Sequence, residues 1–555
     1  MKIMKKIIAG FFLGVSICLT SCNQYLDMSP TDSVSDKGVW TSVKTAEYAV
    51  NYIYSYVYDV TAGQCTAGLT EALTDQLKYG SYNYNSLCRI PSEIAYGGGV
   101  LTANYVDVYL GYWGNWYTAI RRTNEALYSL HKYGTLSEET TTRLEAELRF
   151  TRAFLYFDLM KRYKEVIIYD EDMSAITENK GLSTEEQGWD FVEADLKFAA
   201  SNLPTKENAN GRLNSGIAYA FMSRAMLYAE RWDVVIDAAN EVEKLGYTLE
   251  KEYSDAYMKE IKDGNKEAIL QYVFSIENDV THNFDYYYTP GGDYTMRSGS
   301  GGGYGTPTQE MVESYEKADG TGIPDWSTWH AEGVKDTPPY EELEPRFKAT
   351  ILYNGASWKG RTIEPFVGGN DGFCVWNKEQ EPKGRTTTGY YLRKLVDETH
   401  DVIAVKDSKQ PNTIIRYAEV LLNKAEACYQ MKEFGDANSS IRQIRARVKL
   451  PYSDKTGDAL WKAIRQERKV ELAYEGLWYW DLRRWKDASK DYPQGLNNYQ
   501  VHGIRIDKQP NGSFTYTYVS VDDQNRSFPE KMYRFPLPTS ELNSNSAVSQ
   551  YSEWK

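Results

Sequence analysis

Apolar residues recur every three to four positions through "RLEAELRFTRAFLYFDLMKRY", so that Leu144, Leu148, Leu155 and Leu159 share one face of a helix of several turns. The same spacing returns in "GIAYAFMSRAMLYAERWDVVIDAANEVEKLGY". There Ala218, Phe221, Met222, Ala225 and Ala229 form one stripe, Val235, Ala238, Ala239 and Val242 form another, and a break near Glu230 to Trp232 separates them. Small residues on facing stripes let two antiparallel helices approach closely, the pattern of a tetratricopeptide-like hairpin. A third pair is predicted in "YAEVLLNKAEACYQMKEFGDANSSIRQIRARVKL", with Ala418, Leu421, Leu422, Ala425 and Cys428 before a turn at Phe434-Gly435 and Ile441, Ile444 and Val448 after it. These units lie far apart along the chain, so they are no tandem array. They must be gathered into one scaffold across long connections.

Those connections differ from the helices in composition. Residues 281–305 are crowded with glycine and tyrosine, which a regular helix tolerates poorly. Residues 79–117 are rich in tyrosine and tryptophan and are broken by "YGGGV", and residues 320–360 add Trp326, Trp329 and Trp358 among Pro, Gly and Asp. Long aromatic loops in an ordered body point to a binding surface, and their aromatic content argues against disorder. A pyranose presents C–H groups on its faces and hydroxyls around its edge. Tyr or Trp faces suit the former and Asp, Asn and Arg the latter. The competing reading is that many of these tyrosines only close loop-to-loop packing.

The amino terminus has its own pattern, "KKIIAGFFLGVSICLTSCNQYLDMSP". The apolar run from Ile7 to Leu19 is too short to span a bilayer, which needs about 20 apolar residues, and its basic start and small-residue end read as an export signal. Cleavage before Cys22 makes residues 1–21 a leader, and Leu19-Thr20-Ser21-Cys22 resembles the lipobox of bacterial lipoproteins, which implies lipidation of Cys22. Several acyl chains give a stable membrane anchor where one gives a marginal one.

The formal charge of −14 argues against a nucleic-acid partner. The basic clusters "IRQIRARVK" and "DLRRWK" fall inside helical patterns and read as ion-pairing faces. Cys65, Cys88, Cys374 and Cys428 show no metal spacing, so no metal or other cofactor is expected; an exported chain leaves a Cys65–Cys88 disulfide open. No HExxH, GxSxG, Walker or dinucleotide motif is present in its required context. Glu467, Glu471 and Glu475 are spaced four apart, and paired carboxylates are what glycoside hydrolysis uses. Arg468, Arg483 and Arg484 nearby would hold such groups ionised, which makes them poor proton donors.

In order along the chain, "SCNQYLDMSP", "WYTAIRRTNEAL", "ELRFTRAFLYFDLMKRY", "GRLNSGIAYAFMSRAMLY", "EPRFKATI", "TGYYLRK", "IRYAEVLLNKAEA", "IRQERKVELAYEGLWYWDLRRWK" and "FPLPTSELNSN" resemble the SusD/RagB family of surface glycan-binding lipoproteins. The resemblance implies a mainly α fold, with about four tetratricopeptide-like helix pairs as scaffold, long irregular ligand-binding loops and a few short strands. It implies one domain over 22–555, with a tether at 22–40, an N-terminal part at 41–280 and a C-terminal part at 281–555. It further implies a non-catalytic protein on the exterior of the outer membrane, lying over a SusC-like TonB-dependent transporter and delivering oligosaccharide or polysaccharide to it. The loops that the family places on its binding face here carry Asp75, Arg89, Tyr96 and Asn104, then Tyr294 and Tyr304, then Trp326 and Trp329. Two other classes stay open: a lid over a peptide importer and a surface glycosidase.

Overall fold

A computed structural model describes residues 36–61, 70–80, 86–172, 179–206, 211–297, 301–375 and 385–555. The leader, Cys22, Cys65 and the side chain of Cys88 lie outside the described residues, so the lipidation and disulfide expectations are not addressed by it.

The helices occur where the periodicity places them, and their ends are set locally. Helix α1 spans Val43–Thr61, α2 Ser86–Tyr96, α3 Trp113–Tyr133 and α4 Glu138–Tyr163. Ser137 caps α4 by accepting from the Thr140 N–H. Helix α5, Glu185–Asn202, opens with a capping box in which Thr184 and Gln187 satisfy each other's backbone donors. Helix α6, Ser215–Tyr228, is capped by Asn214, and α7 spans Trp232–Lys244. The chain then leaves the scaffold and returns as α8, Tyr417–Gln430, α9, Phe434–Arg447, α10, Gly457–Glu471, and α11, Trp478–Arg484. Successive helices pack side by side from α3 to α7, and α8 continues the stack by packing on α7. The distant units are thus gathered into one helical scaffold of the tetratricopeptide-like kind.

Three local readings are corrected. The turn between α8 and α9 lies at residues 431–433, with Lys432 at φ 65°, and Phe434 and Gly435 already belong to α9. Helix α4 buries more than one stripe: from Leu144 onward Glu145, Glu147, Arg152 and Asp158 are as buried as the leucines, because helices cover it on several sides. Residues 79–117 are largely helical, and the aromatic segment expected as loop holds α2, a five-residue π turn at Asp107–Gly111 and the start of α3.

The strands are short and pair two by two, all antiparallel. Strand β1, Leu77–Tyr79, pairs with β3, Gly305–Pro307; β2, Ala268–Tyr272, pairs with β8, Asn412–Arg416. Two-residue pairs join β4, Ile351–Leu352, to β7, Tyr391–Leu392, and β5, Ser357–Trp358, to β6, Arg361–Thr362. The longest is a hairpin of β9, His502–Lys508, and β10, Phe514–Ser520. A second apolar core, built around Tyr288, Tyr315, Phe347, Trp358, Tyr390 and Tyr474, supports the loops, while the main core lies among the helices.

Charged side chains tie the loops to the carboxyl-terminal helices of the scaffold. Glu471 accepts from Arg346 at 3.0 Å, from Arg416 at 2.6 Å and from Arg447, and Glu475 accepts from Lys394 at 2.7 Å and Arg416 at 2.6 Å. Burial raises the carboxyls of Glu471 and Glu475, but the surrounding cations outweigh it and hold both below the usual range. Arg468 donates to Asp481 at 2.6 Å, and Arg445 bridges Glu316 and Glu467. The carboxylates of the "RQERKVELAYE" helix are therefore structural ion pairs.

Candidate functional site

The β1–β3 pairing brings residues 75–80 and 301–308 side by side, and a buried ionic cluster fixes this base. Lys78 donates to Asp522 at 2.6 Å and to Ser92 and Tyr96 at 3.1 Å each, and Arg526 donates to the other oxygen of Asp522 at 2.7 Å. Burial pulls the Lys78 ammonium down to about 8 despite Asp522. Burial pushes the Asp522 carboxyl up, but Arg526 and Lys78 prevail and hold it well below the usual range.

The eight residues expected at the site are placed in five settings. Tyr96 lies beneath the surface in the Lys78 cluster. Arg89 and Asn104 are exposed and share a patch: Arg89 pairs with Glu93 at 3.4 Å, and Tyr105, next to Asn104, donates to Glu93 at 2.8 Å and packs on Tyr109 at 4.7 Å. Tyr294 and Tyr304 are both buried. Tyr294 donates to the Tyr286 carbonyl at 3.2 Å and meets its ring edge to face, and Tyr304 packs on Tyr287 at 4.7 Å. Gly301 is required here, since a Cβ would sit 2.9 Å from the Tyr294 ring. Asp75 turns toward the helical scaffold, accepting from Lys469 at 2.8 Å and from the Trp478 indole at 3.2 Å.

Trp326 and Trp329 stand in the fifth setting, edge to face at 5.7 Å, with Trp326 buried and Trp329 half-buried. The next residue, His330, belongs to a row of rings the sequence reading did not single out. The imidazole of His330 lies 4.7 Å from the ring of Tyr518, and Tyr518 lies parallel to His502 at 4.3 Å. Trp329, Tyr518 and His502 are half-buried and His330 is exposed, so solvent reaches the row. Beside it runs a pair of carboxylates from the helical turn after β3. Glu310 meets Nδ1 of His502 at 2.6 Å and accepts its backbone N–H, and Glu313 meets Nε2 of His330 at 2.7 Å. Burial pushes the Glu313 carboxyl up, against the pull of His330 and Gln309. Tyr492, stacked on Tyr499 at 4.7 Å, extends the aromatic ground between Glu310 and Asp75, whose charges and its own burial raise its phenol.

The signal that could have exposed this row was the hairpin itself. "HGIRIDKQPNGSFTYTYVS" alternates around a Pro-Asn-Gly turn, which places His502 and Tyr518 near its open end. Their pairing with Glu310 and His330 has no sequence signature. Among the described residues no group of three or more His, Cys, Asp and Glu side chains is placed to hold a metal ion. No described helix is long and apolar enough to cross a membrane.

A stacked helical scaffold carrying an irregular, aromatic loop face with charged hydrogen-bonding partners is the architecture of a binding protein. The chain belongs to the SusD family, whose model matches residues 266–554, and a model described as "Starch-binding associating with outer membrane" matches residues 24–227. A SusD-like protein of Bacteroides ovatus is 23% identical over 576 residues, covering 100% of this chain and 96% of that protein. A SusD-like protein of Formosa agariphila is 24% identical over 522 residues, 88% of this chain and 93% of its own. Among solved structures, a SusD-like protein of Bacteroides fragilis superposes with TM-score 0.78 at 28% identity, covering 95% of this chain and 100% of that one. A structure titled a SusD-like carbohydrate binding protein, also of B. fragilis, gives 0.74 at 23% identity with 92% and 100% covered. A laminarin binding SusD-like protein gives 0.63 at 20% identity with 92% and 99% covered.

Proposed function

We propose that this protein is a non-catalytic glycan receptor of a nutrient-uptake assembly, which captures an oligosaccharide or polysaccharide on its loop face and passes it to a partner outer-membrane transporter. The observation that carries the reading is the solvent-reachable row Trp329, His330, Tyr518 and His502 flanked by Glu310 and Glu313. Ring faces cover the C–H faces of a pyranose, while carboxylates and imidazoles accept from and donate to its hydroxyls. Family relatives whose titles name carbohydrate or laminarin binding support the ligand class. The patch of Arg89, Asn104 and Tyr105 supplies further polar and stacking groups for a longer chain.

Delivery follows from the amino terminus. Lipids on Cys22 would hold the body beside a membrane partner at high effective concentration. The expected site is the outer membrane with the body facing outward.

Affinity electrophoresis of residues 23–555 in gels holding individual neutral polysaccharides tests the reading. Retardation by one of them without its degradation, lost in Tyr518→Ala or Trp329→Ala, supports it. No retardation across a broad panel of neutral and acidic polysaccharides would sink the glycan assignment, and release of shorter sugars would sink the non-catalytic one.

A further inference from the structure

A second cavity, of about 710 Å³, opens on the scaffold side of Asp75, between the end of α8, one face of α10, α11 and the loop at 493–495. Its size falls within the range of about 300–1,000 Å³ usual for small-molecule sites. Three indoles line it: Trp461 and Trp478 each meet Trp485 edge to face, at 5.5 and 5.7 Å, and Tyr429 stacks on Trp461 at 5.2 Å. All four rings are half-buried rather than buried, so solvent reaches them. Core packing alone would have closed such a set.

The charges around these rings are unusual for this chain. Lys462, Arg465, Lys469 and Lys490 line the cavity against only Asp75 and Asp487, an excess of two cations in a protein of net charge −14. Both carboxylates are already engaged. Asp75 accepts from Lys469 and Trp478, and Asp487 accepts from Arg465 and, at 2.6 Å, from Lys490. Lys462 is exposed and makes no ion pair among the described residues. Gln430 and Gln494 at the rim are exposed too.

A cationic ligand does not suit the cavity, because the excess of cations that line it, Lys462 among them, would repel it. A neutral ligand would leave the excess positive charge unanswered. We infer that this cavity is a second binding site, for an acidic saccharide unit. Its ring would pack on the indoles, its carboxylate or sulfate ester would meet Lys462 and the neighbouring cations, and Gln430 and Gln494 would meet its hydroxyls. The ring row by Glu310 and Glu313 is of opposite charge, so the two sites would select different units of one mixed glycan or two different glycans. The inference stands on this cavity alone and does not require that row to bind sugar.

Calorimetric titration of residues 23–555 with tri-galacturonate, with a sulfated disaccharide and with a neutral trisaccharide tests it, beside the variants Trp461→Ala, Lys462→Gln and Tyr518→Ala. Lys462 is exposed, so its change leaves the fold intact, and circular dichroism checks the others. The expected result is that an acidic probe binds, that Trp461→Ala weakens it at least tenfold and Lys462→Gln severalfold, and that Tyr518→Ala leaves it unchanged. Added salt should weaken the acidic probe and not a neutral one. Binding of neither acidic probe at millimolar concentration overturns the inference. So does acidic binding that Tyr518→Ala abolishes and Trp461→Ala spares, or a cavity that takes an acidic peptide in place of any saccharide.

Discussion

The phenol ring of Tyr518 lies flat against the imidazole of His502, with ring centres 4.3 Å apart and planes 15° from parallel. The pair is held from one side by Glu310 and continued by His330, and it forms one end of the aromatic row. Replacing Tyr518 by Ala should weaken glycan binding by about 1–2 kcal/mol, roughly five- to thirtyfold, while leaving the thermal midpoint nearly unchanged. Retained binding in a folded Tyr518→Ala protein would move the site elsewhere on the loop face.

Glu471 is buried among three guanidinium groups. Glu471→Ala takes one shared carboxylate from a buried network in which Arg346 keeps Glu344 and Glu467 and both Arg416 and Arg447 keep Glu267, and a loss of about 3–5 kcal/mol in denaturant stability is expected. A change below 1 kcal/mol would mean that the network is replaceable.

Glu71 gives the protein a pH signature. Its carboxyl is buried, accepts from the Gly476 N–H at 2.5 Å through one oxygen and has no partner for the other, and burial raises it to about 7. A raised carboxyl binds its proton more tightly folded than unfolded, so stability falls as pH rises from about 4.5 to about 7 and is level above that. The span corresponds to about 3 kcal/mol. Glu71→Gln should therefore raise the thermal midpoint at pH 8 and change little at pH 4.5. Equal effects at both pH values would exclude this carboxyl as the source.

Gly389 has φ +83°, and a Cβ on it would lie 2.2 Å from the carbonyl oxygen of Ile504. The neighbouring Thr388 carbonyl accepts the Ile504 N–H at 2.8 Å, which hooks the β9–β10 hairpin to the loop core. Gly389→Ala should unseat the hairpin, and with it both Tyr518 and His502. Lower stability accompanied by lost glycan retention is the expected pair of outcomes; a variant that keeps both would show that the backbone yields there.

The scaffold was legible because its helices carry their own signals: stripes at helical spacing, and Ser137, Thr184 and Asn214 as caps. Their assembly order was not, since nothing local says that α8 should lie against α7. The loop face was legible as a composition and not as a geometry. Tyr294, Tyr304 and Trp326 have the same chemistry as Tyr518, yet the first three are buried and the last is half-exposed. Burial of an aromatic residue in an irregular segment depends on which other segments arrive above it. The row needs three of them, from 309–313, 326–330 and 502–518, to meet.

The return of the chain to the scaffold at α8, and the pairing of β2 with β8, bear on how the protein is made. The amino-terminal helices can stack on one another early, but the side of α7 that meets α8 has no neighbour until residues from 417 onward have been synthesised. Contacts this distant in sequence are slow to form, so a long-lived, half-covered intermediate is expected during folding. Such a species has apolar surface open for the whole interval, which makes a holdase chaperone a natural requirement for its maturation.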